Sequence, residues 1–186
     1  MFRKIITWPN QTLRAPNATV ENVEDVQDLI KDLIDTCNVA MGAGLAAPQI
    51  GQNQKVVVIK PKIFGTENPD PSEYNPDFMV LVNPVLENTG DDIKWKEACL
   101  SIPDIDTYIV RKETTLVKYL NEKGEQKRLI ADWPFAGGLQ HECDHLEGKL
   151  FIHRMEKKKA AFLLERWRRK KRKQRIKAKR AKRANR

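Results

Sequence analysis

Between Val23 and Cys37 the apolar residues Val23, Val26, Leu29, Ile30, Leu33, Ile34 and Cys37 recur three and four positions apart, with acids and Lys31 between them. That period is one face of an α-helix, so the segment predicts an amphipathic helix. Asn22, with Asp25 three residues on, is placed to cap its start, and Gly42 and Gly44 end it. Cys37 falls on the apolar stripe and reads as core. Lys55-Val56-Val57-Val58-Ile59-Lys60 predicts a strand that is apolar throughout and therefore covered on both faces. A second strand is expected from Met79 to Asn83, stopped by Pro84, and a third from Ile93 to Leu100. Alternation puts Trp95, Glu97 and Cys99 of that third strand on one face. Thr114–Tyr119 and Lys127–Ala131 predict a hairpin across Asn121-Glu122-Lys123-Gly124.

The connections read less regularly. Ile5 to Leu13 is expected to be a short extended segment ending in a turn around Ala15-Pro16-Asn17. Pro61 to Pro76 carries prolines at 61, 69, 71 and 76 and predicts a long, mobile surface loop. A last apolar helix begins near Trp133-Pro134. No internal repeat is visible. Helix, several strands, helix is an α+β plan, with mixed or antiparallel strands packed around that last helix and a basic C-terminal helical tail.

Length changes this picture little: 186 residues suit one domain with a full core and an appendage. Charge changes it more. The net charge of +9 is an average over two unlike parts, because 17 of the 34 Lys and Arg but only one of the 25 acids lie in Lys157–Arg186. The tail therefore carries +16 and the remainder −7. The chain divides at that point, into a body at 1–156 and a polybasic extension at 157–186. Cysteines at 37, 99 and 143 have no framework spacing, which suits a reducing, cytoplasmic compartment. The N-terminal residues have no signal-peptide apolar stretch, and no run is long enough to span a bilayer, so no membrane partner is expected.

The chemistry concentrates in Gln140-His141-Glu142-Cys143-Asp144-His145. On a helix, residues four apart sit about 40° apart around the axis and about 6 Å apart along it. His141 and His145 can therefore grip one cation, with the Glu142 carboxylate beside it. A third ligand must come from elsewhere. A metzincin site would need His at 151, where this chain has Phe151, and His153 is two residues off register. A thermolysin-like site would use Glu165, twenty residues after His145, in the basic tail. The other candidate is Cys99, in Glu97-Ala98-Cys99-Leu100-Ser101. Cys143, about 200° around the helix from His141, should face away as core. Asp144 reads as a supporting or helix-surface group. Glu97 either pairs with Arg111 to hold its strand or is solvated. Gly42-Ala43-Gly44-Leu45-Ala46-Ala47-Pro48-Gln49-Ile50-Gly51 has two readings: a helix stop with a buried turn, or a backbone kept bare so that an extended peptide can lie alongside.

Three segments together carry a resemblance. Gly42-x-Gly44-Leu45-Ala46-Ala47-Pro48-Gln49, Glu97-Ala98-Cys99-Leu100-Ser101 and Gln140-His141-Glu142-x-Asp144-His145 resemble, in order, the signature motifs of the peptide deformylase family. The likeness runs from about Ile5 to Ile152. It implies a cytoplasmic hydrolase that removes the formyl group from the N-terminal methionine of new polypeptides. It also implies one divalent metal ion, typically Fe2+, replaceable by Zn2+, Ni2+ or Co2+. By the same likeness Cys99, His141 and His145 are the metal ligands, and Glu142 is the general acid and base. Gln49 and the Leu100 backbone N–H are then donors to the oxyanion. Gly44, Trp95, Glu97, Ala98 and Gly138 become the substrate-binding residues, with Trp95 and the Gly137-Gly138 turn as walls of an apolar pocket. This chain has Ala98 and Ala43 where the family usually has Gly and Ile or Val, Gly137-Gly138 where bulkier residues are expected, and His153 where relatives commonly have Asp. His153 reads as structural.

Ala160 to Trp167 has enough apolar residues to dock one helical face on the body. From Arg168 to Arg186, 13 of 19 residues are Lys or Arg, and in isolation such a run should be frayed or disordered. It is a nucleic-acid-binding candidate, with simple solubilisation as the plain reading. The family likeness adds the ribosome as partner, and the protein is expected to act as a monomer. A ribosome-associated protein that keeps the fold without the activity is the alternative of another class. It would not need Cys99, His141, Glu142, His145 and Gln49 together.

Overall fold

In a computed structural model that describes residues 1–184, five strands form one antiparallel sheet in the order β1-β2-β3-β4-β5. They are β1 (Gly44–Ala46), β2 (Val56–Ile59), β3 (Met79–Ala98), β4 (Asp106–Leu120) and β5 (Gln126–Ala131). Strands β1 and β5 are the two edges. The apolar run of β2 behaves as its composition requires, with every residue fully buried. Its alternate side chains serve two cores. Val56 and Val58 join Val80, Val82 and Leu45 under helix α1 (Gln27–Val39), while Val57 and Ile59 join Met79, Leu81 and Val117 under helix α2 (Phe135–Leu146). Each such side chain contributes about 1.5–3 kcal/mol by leaving water. The sheet is thus filled on both faces, and α2 is held against it almost completely buried.

The predicted helix starts in two steps. A 3-10 turn at Val23–Val26, capped by the Asn22 side chain accepting from Glu24 N, leads into α1. The hairpin is where it was expected, with Thr115 opposite Ala131 and Leu120 opposite Gln126.

Pro84 does not stop a strand. The two predicted strands are one, Met79–Ala98, and the register to β4 shifts between Val82 and Val85. A proline cannot donate to the ladder, so the chain accommodates it at a bulge. Asn83 takes φ 52° there, and its side chain exchanges two hydrogen bonds with the Val20 backbone, which secure the kink. Strand β4 begins at Asp106, well before the expected Thr114, because it follows β3 along its whole length.

Ile5 to Leu13 is not a strand of the sheet. Ile6 N donates to Gln49 O at 2.7 Å and Trp8 N to Ser101 O at 2.9 Å, after which a 3-10 turn covers Gln11–Arg14. This strap ties together two segments that lie far apart in sequence. The loop after β2 starts with a 3-10 turn, Pro61–Phe64, that packs Phe64 on α2.

The basic tail is one helix, α3 (Lys157–Ala184). Its first half is anchored. Trp167 is buried, donates from Nε1 to Pro103 O at 2.6 Å and meets Trp8 edge-on at 5.6 Å between centroids. Leu163 and Leu164 pack on the same cluster. Lys171 then reaches Asp104 at 2.9 Å, and Arg168 lies over the Trp8 ring. These contacts supply the tertiary support that the isolated sequence lacks. Asn185 and Arg186, the end of the predicted extension, lie outside the described residues. No described helix is long and apolar enough to cross a membrane.

Candidate metal centre

Three elements converge on one cleft. Helix α2 supplies His141 and His145, whose rings lie 5.3 Å apart, nearly perpendicular. Strand β3 ends at Ala98, and the next residue, Cys99, places its Sγ 3.4 Å from His145 Nε2. One ligand atom from each of Cys99, His141 and His145 lies within 4.8 Å of the others. The spacing on α2 brought the histidines together, as expected, and the sheet delivered Cys99. Glu165 is exposed on α3 and is not part of this group, so the thermolysin-like alternative has no geometric support.

The third element is the turn after β1. Gln49 Oε1 accepts from Ala46 N at 2.9 Å, which turns the amide nitrogen outward, 3.6 Å from Cys99 Sγ and 3.2 Å from Ser101 Oγ. Gly51, at φ 86°, ends that turn in the left-handed region where a side chain is strained. A Cβ added at Gly44 would lie 2.7 Å from Glu142 Oε1, so the bare backbone is what lets the carboxylate come up against β1.

Glu142 is buried, and its Oε2 has no hydrogen-bond partner among the described residues. Burial pushes its carboxyl up to about 7, with Glu97 adding to the rise and His141 and Arg111 opposing it. His145 Nδ1 is the other buried side-chain atom left unpartnered among the described residues. Burial and the neighbouring His141 and Arg111 hold the His145 imidazole well below its ordinary pKa. Burial also opposes charge on His141, but the Cys99 sulfur and the Glu97 carboxylate outweigh it and carry that pKa well above the ordinary value.

A buried chain of charges supports the centre. Glu97 Oε2 lies 2.8 Å from His141 Nδ1, and both Glu97 oxygens accept from Arg111, at 2.6 and 2.9 Å. Arg111 Nη1 continues to Asp144 Oδ2 at 2.6 Å, and Asp144 is held in turn by Arg154. Burial would raise the Glu97 carboxyl, yet Arg111 and His141 pull it down to about 2. The Glu97–Arg111 pairing was one of two readings of the sequence; the structure resolves it. Asp144 is a buried partner of two arginines rather than a helix-surface group. Arg154 was not foreseen, and nothing local in Ile152-His153-Arg154-Met155 signals it. Cys143 is buried, as expected, and burial raises its thiol pKa. His153 Nδ1 accepts from Leu150 N at 3.0 Å and closes the turn after α2, a structural part.

Gly44, Gln49, Trp95, Glu97, Ala98, Cys99, Leu100, Gly138, His141 and Glu142 all line the same cleft, and His145 lies behind them, 1 % exposed. Ala98 is exposed where it lines this cleft. Phe64 and Lys96 also line it and were missed. Phe64 comes from the loop after β2, where no periodicity marks a wall residue.

The donor set suits a divalent cation. A sulfur and two imidazole nitrogens at this mutual distance leave a further position open, as in catalytic rather than closed structural sites. With Nδ1 of His141 held by Glu97, its Nε2 is the nitrogen available as ligand, the usual carboxylate–histidine arrangement around a metal.

The model of the family described as polypeptide deformylase matches residues 2–161 of the chain. Over 166 residues the chain is 39 % identical to the peptide deformylase of Pelagibacter ubique, covering 88 % of this chain and 92 % of that one. It is 36 % identical over 171 residues to the peptide deformylase of Aquifex aeolicus, covering 91 % and 96 %. The crystal structure of a peptide deformylase from Legionella pneumophila superposes with a TM-score of 0.81 at 34 % identity, covering 94 % of this chain and 98 % of that one.

Proposed function

The chain belongs to the polypeptide deformylase family, enzymes that remove the N-formyl group from nascent peptides, and from that premise we propose the part each residue plays. Cys99, His141 and His145 would hold one divalent metal ion, which when bound would supply Lewis-acid polarisation and bring the pKa of a water down towards neutrality. A thiolate beside two imidazoles suits Fe2+ and Zn2+ alike, and Ni2+ or Co2+ can substitute. Fe2+ is our assignment, on the family likeness.

The remaining chemistry falls to the protein. Glu142, buried and poised near neutrality, takes the proton of the attacking water and returns it to the departing amine nitrogen, leaving formate and a free N-terminus. Gln49 Nε2 and the Leu100 N–H donate to the formyl oxygen as charge gathers on it. Losing one such donor typically costs about 3–4 kcal/mol of transition-state stabilisation. Glu97 fixes the His141 ring, and Arg111 fixes Glu97.

The substrate is the formyl-methionyl end of a new chain, in extended form. Among the described residues strand β1 pairs only with β2, so its free side, carrying Gly44, offers backbone groups to a peptide, with Ala98 lining the same cleft. The methionine side chain enters between Trp95 and Gly138. Catalysis rests in 1–156, while 157–186 docks on ribosomal RNA and places the enzyme, a cytoplasmic monomer, where formylated chains emerge. The anchored, polybasic helix α3 supports that role.

One observation carries the reading: Cys99, His141 and His145 come together beside Glu142 at a cleft edged by strand β1, whose outer side is unpaired among the described residues. The test is formate release from a formyl-Met tripeptide by protein purified without oxygen, with metal analysis of the same sample. We expect turnover, about one metal per chain, and loss of both in Cys99→Ala but in neither case for Glu165→Ala. A Cys99→Ala protein that keeps its metal and its activity overturns the ligand assignment.

A further inference from the structure

Gly137 and Gly138 stand one turn before His141 on α2, on the side of the helix that faces the cleft. Two adjacent glycines weaken a helix, because they lose the most backbone freedom on folding. The space they leave is occupied. A Cβ on Gly138 would lie 2.5 Å from Phe64 Cζ and 2.8 Å from Cε1, and one on Gly137 would lie 2.6 Å from Trp133 Cζ3. These are contacts no Cβ can make, so both rings lie directly on the helix backbone. Where side chains of α2 would ordinarily wall the cleft, the wall comes from outside the helix.

Phe64 is held in that place. Its ring meets Phe135 at 5.9 Å between centroids, and Gly65, at φ 74°, turns the chain sharply after it. Trp133 stands edge-on behind Trp95 at 5.0 Å. Phe64, Trp95 and Gly138 all line the cleft that contains His141 and Glu142.

We propose that Phe64 is a specificity-determining residue: its ring, admitted by Gly138, closes the end of the pocket that receives the first side chain of the formyl-peptide. This rests on the deformylase reading. A pocket ended by one aromatic ring and flanked by another favours a long, unbranched thioether, whose sulfur packs well against ring edges. It excludes a bulky aromatic first residue, because Phe64 already fills the depth such a side chain needs.

The test compares kcat and KM of metal-loaded, full-length protein on formyl-Met and formyl-Phe tripeptides. In Phe64→Ala the kcat/KM ratio of formyl-Phe to formyl-Met should rise about tenfold or more, mainly through KM, in line with what a few methylenes of pocket volume discriminate. Phe64→Leu, which keeps more of the packing on Phe135, should move the ratio the same way by less. Gly138→Ala should lower kcat/KM for formyl-Met by about tenfold, and Phe64→Ala added to it should restore most of that loss. An active enzyme whose ratio stays within about twofold of the parent in both Phe64 variants overturns the role of Phe64 alone, as does a double variant no better than Gly138→Ala. A parent protein that releases formate from neither peptide overturns the deformylase reading and this inference with it.

Discussion

Glu97 Oε2 lies 2.8 Å from Nδ1 of His141, which fixes which ring nitrogen of that histidine is free to face Cys99 and His145. The two residues are 44 positions apart, one at the end of β3 and one in the middle of α2; the carboxylate is buried, while the His141 ring is partly open to the cleft. The carboxylate gives the ring one orientation and keeps its other nitrogen basic.

Replacing Glu97 with Gln should therefore weaken metal binding by roughly 10–100-fold while the fold survives, since an outer partner of a ligand histidine is worth about that much. Competition with a coloured chelator measures it. Affinity equal to the parent would mean that the His141 ring is oriented by helix packing alone.

Arg111 is the more sensitive member of the same chain. Its side chain is fully buried between Glu97 and Asp144. Arg111→Met keeps the volume but strands two buried carboxylates, so unfolding free energy should fall by about 3–5 kcal/mol. Urea denaturation of the two proteins decides the matter, and a loss under about 1 kcal/mol would show that water or Arg154 can replace the guanidinium.

Glu142→Gln separates binding from chemistry. The variant should keep one equivalent of metal while turnover drops by about two orders of magnitude or more. Stability should hold or improve, because the substitution removes a buried ionisable group with no hydrogen-bond partner on Oε2 among the described residues. Turnover at the parent level would assign the proton to another group.

Truncation after Lys171 spares the Trp167 contact with Pro103 and the Lys171 contact with Asp104. Hydrolysis of a short formyl-Met peptide should then be almost unchanged, and ribosome binding should collapse. For the full chain, binding should fall with salt at a log–log slope of about −0.7 to −0.9 for each phosphate contacted. Sedimentation with ribosomes at two salt concentrations reads both effects. Equal binding by the two proteins would leave the tail as a solubilising segment.

Much of the site is legible along the chain because its geometry is local. Four-residue spacing on α2 puts His141 and His145 on one side, and alternation along β3 puts Trp95, Glu97 and Cys99 on one face, whatever the rest of the molecule does. The same holds for the stripe of α1 and the apolar run of β2, whose periods follow from helix and strand geometry. What the chain order does not contain is which distant segments meet. Spacing alone leaves Cys99 and Glu165 both open as third ligand; the family likeness names Cys99, and the end of β3 against α2 brings it to the two histidines. Pro84 reads as a stop, yet a bulge and the side chain of Asn83 carry the strand past it. Phe64 and Arg154 lie in irregular stretches, and their partners, Gly138 and Asp144, are defined only by how those stretches cross α2. Helix α3 is the plainest case: its own charges oppose it, and it persists because Trp167 finds Trp8 and the Pro103 carbonyl, contacts that no local pattern encodes.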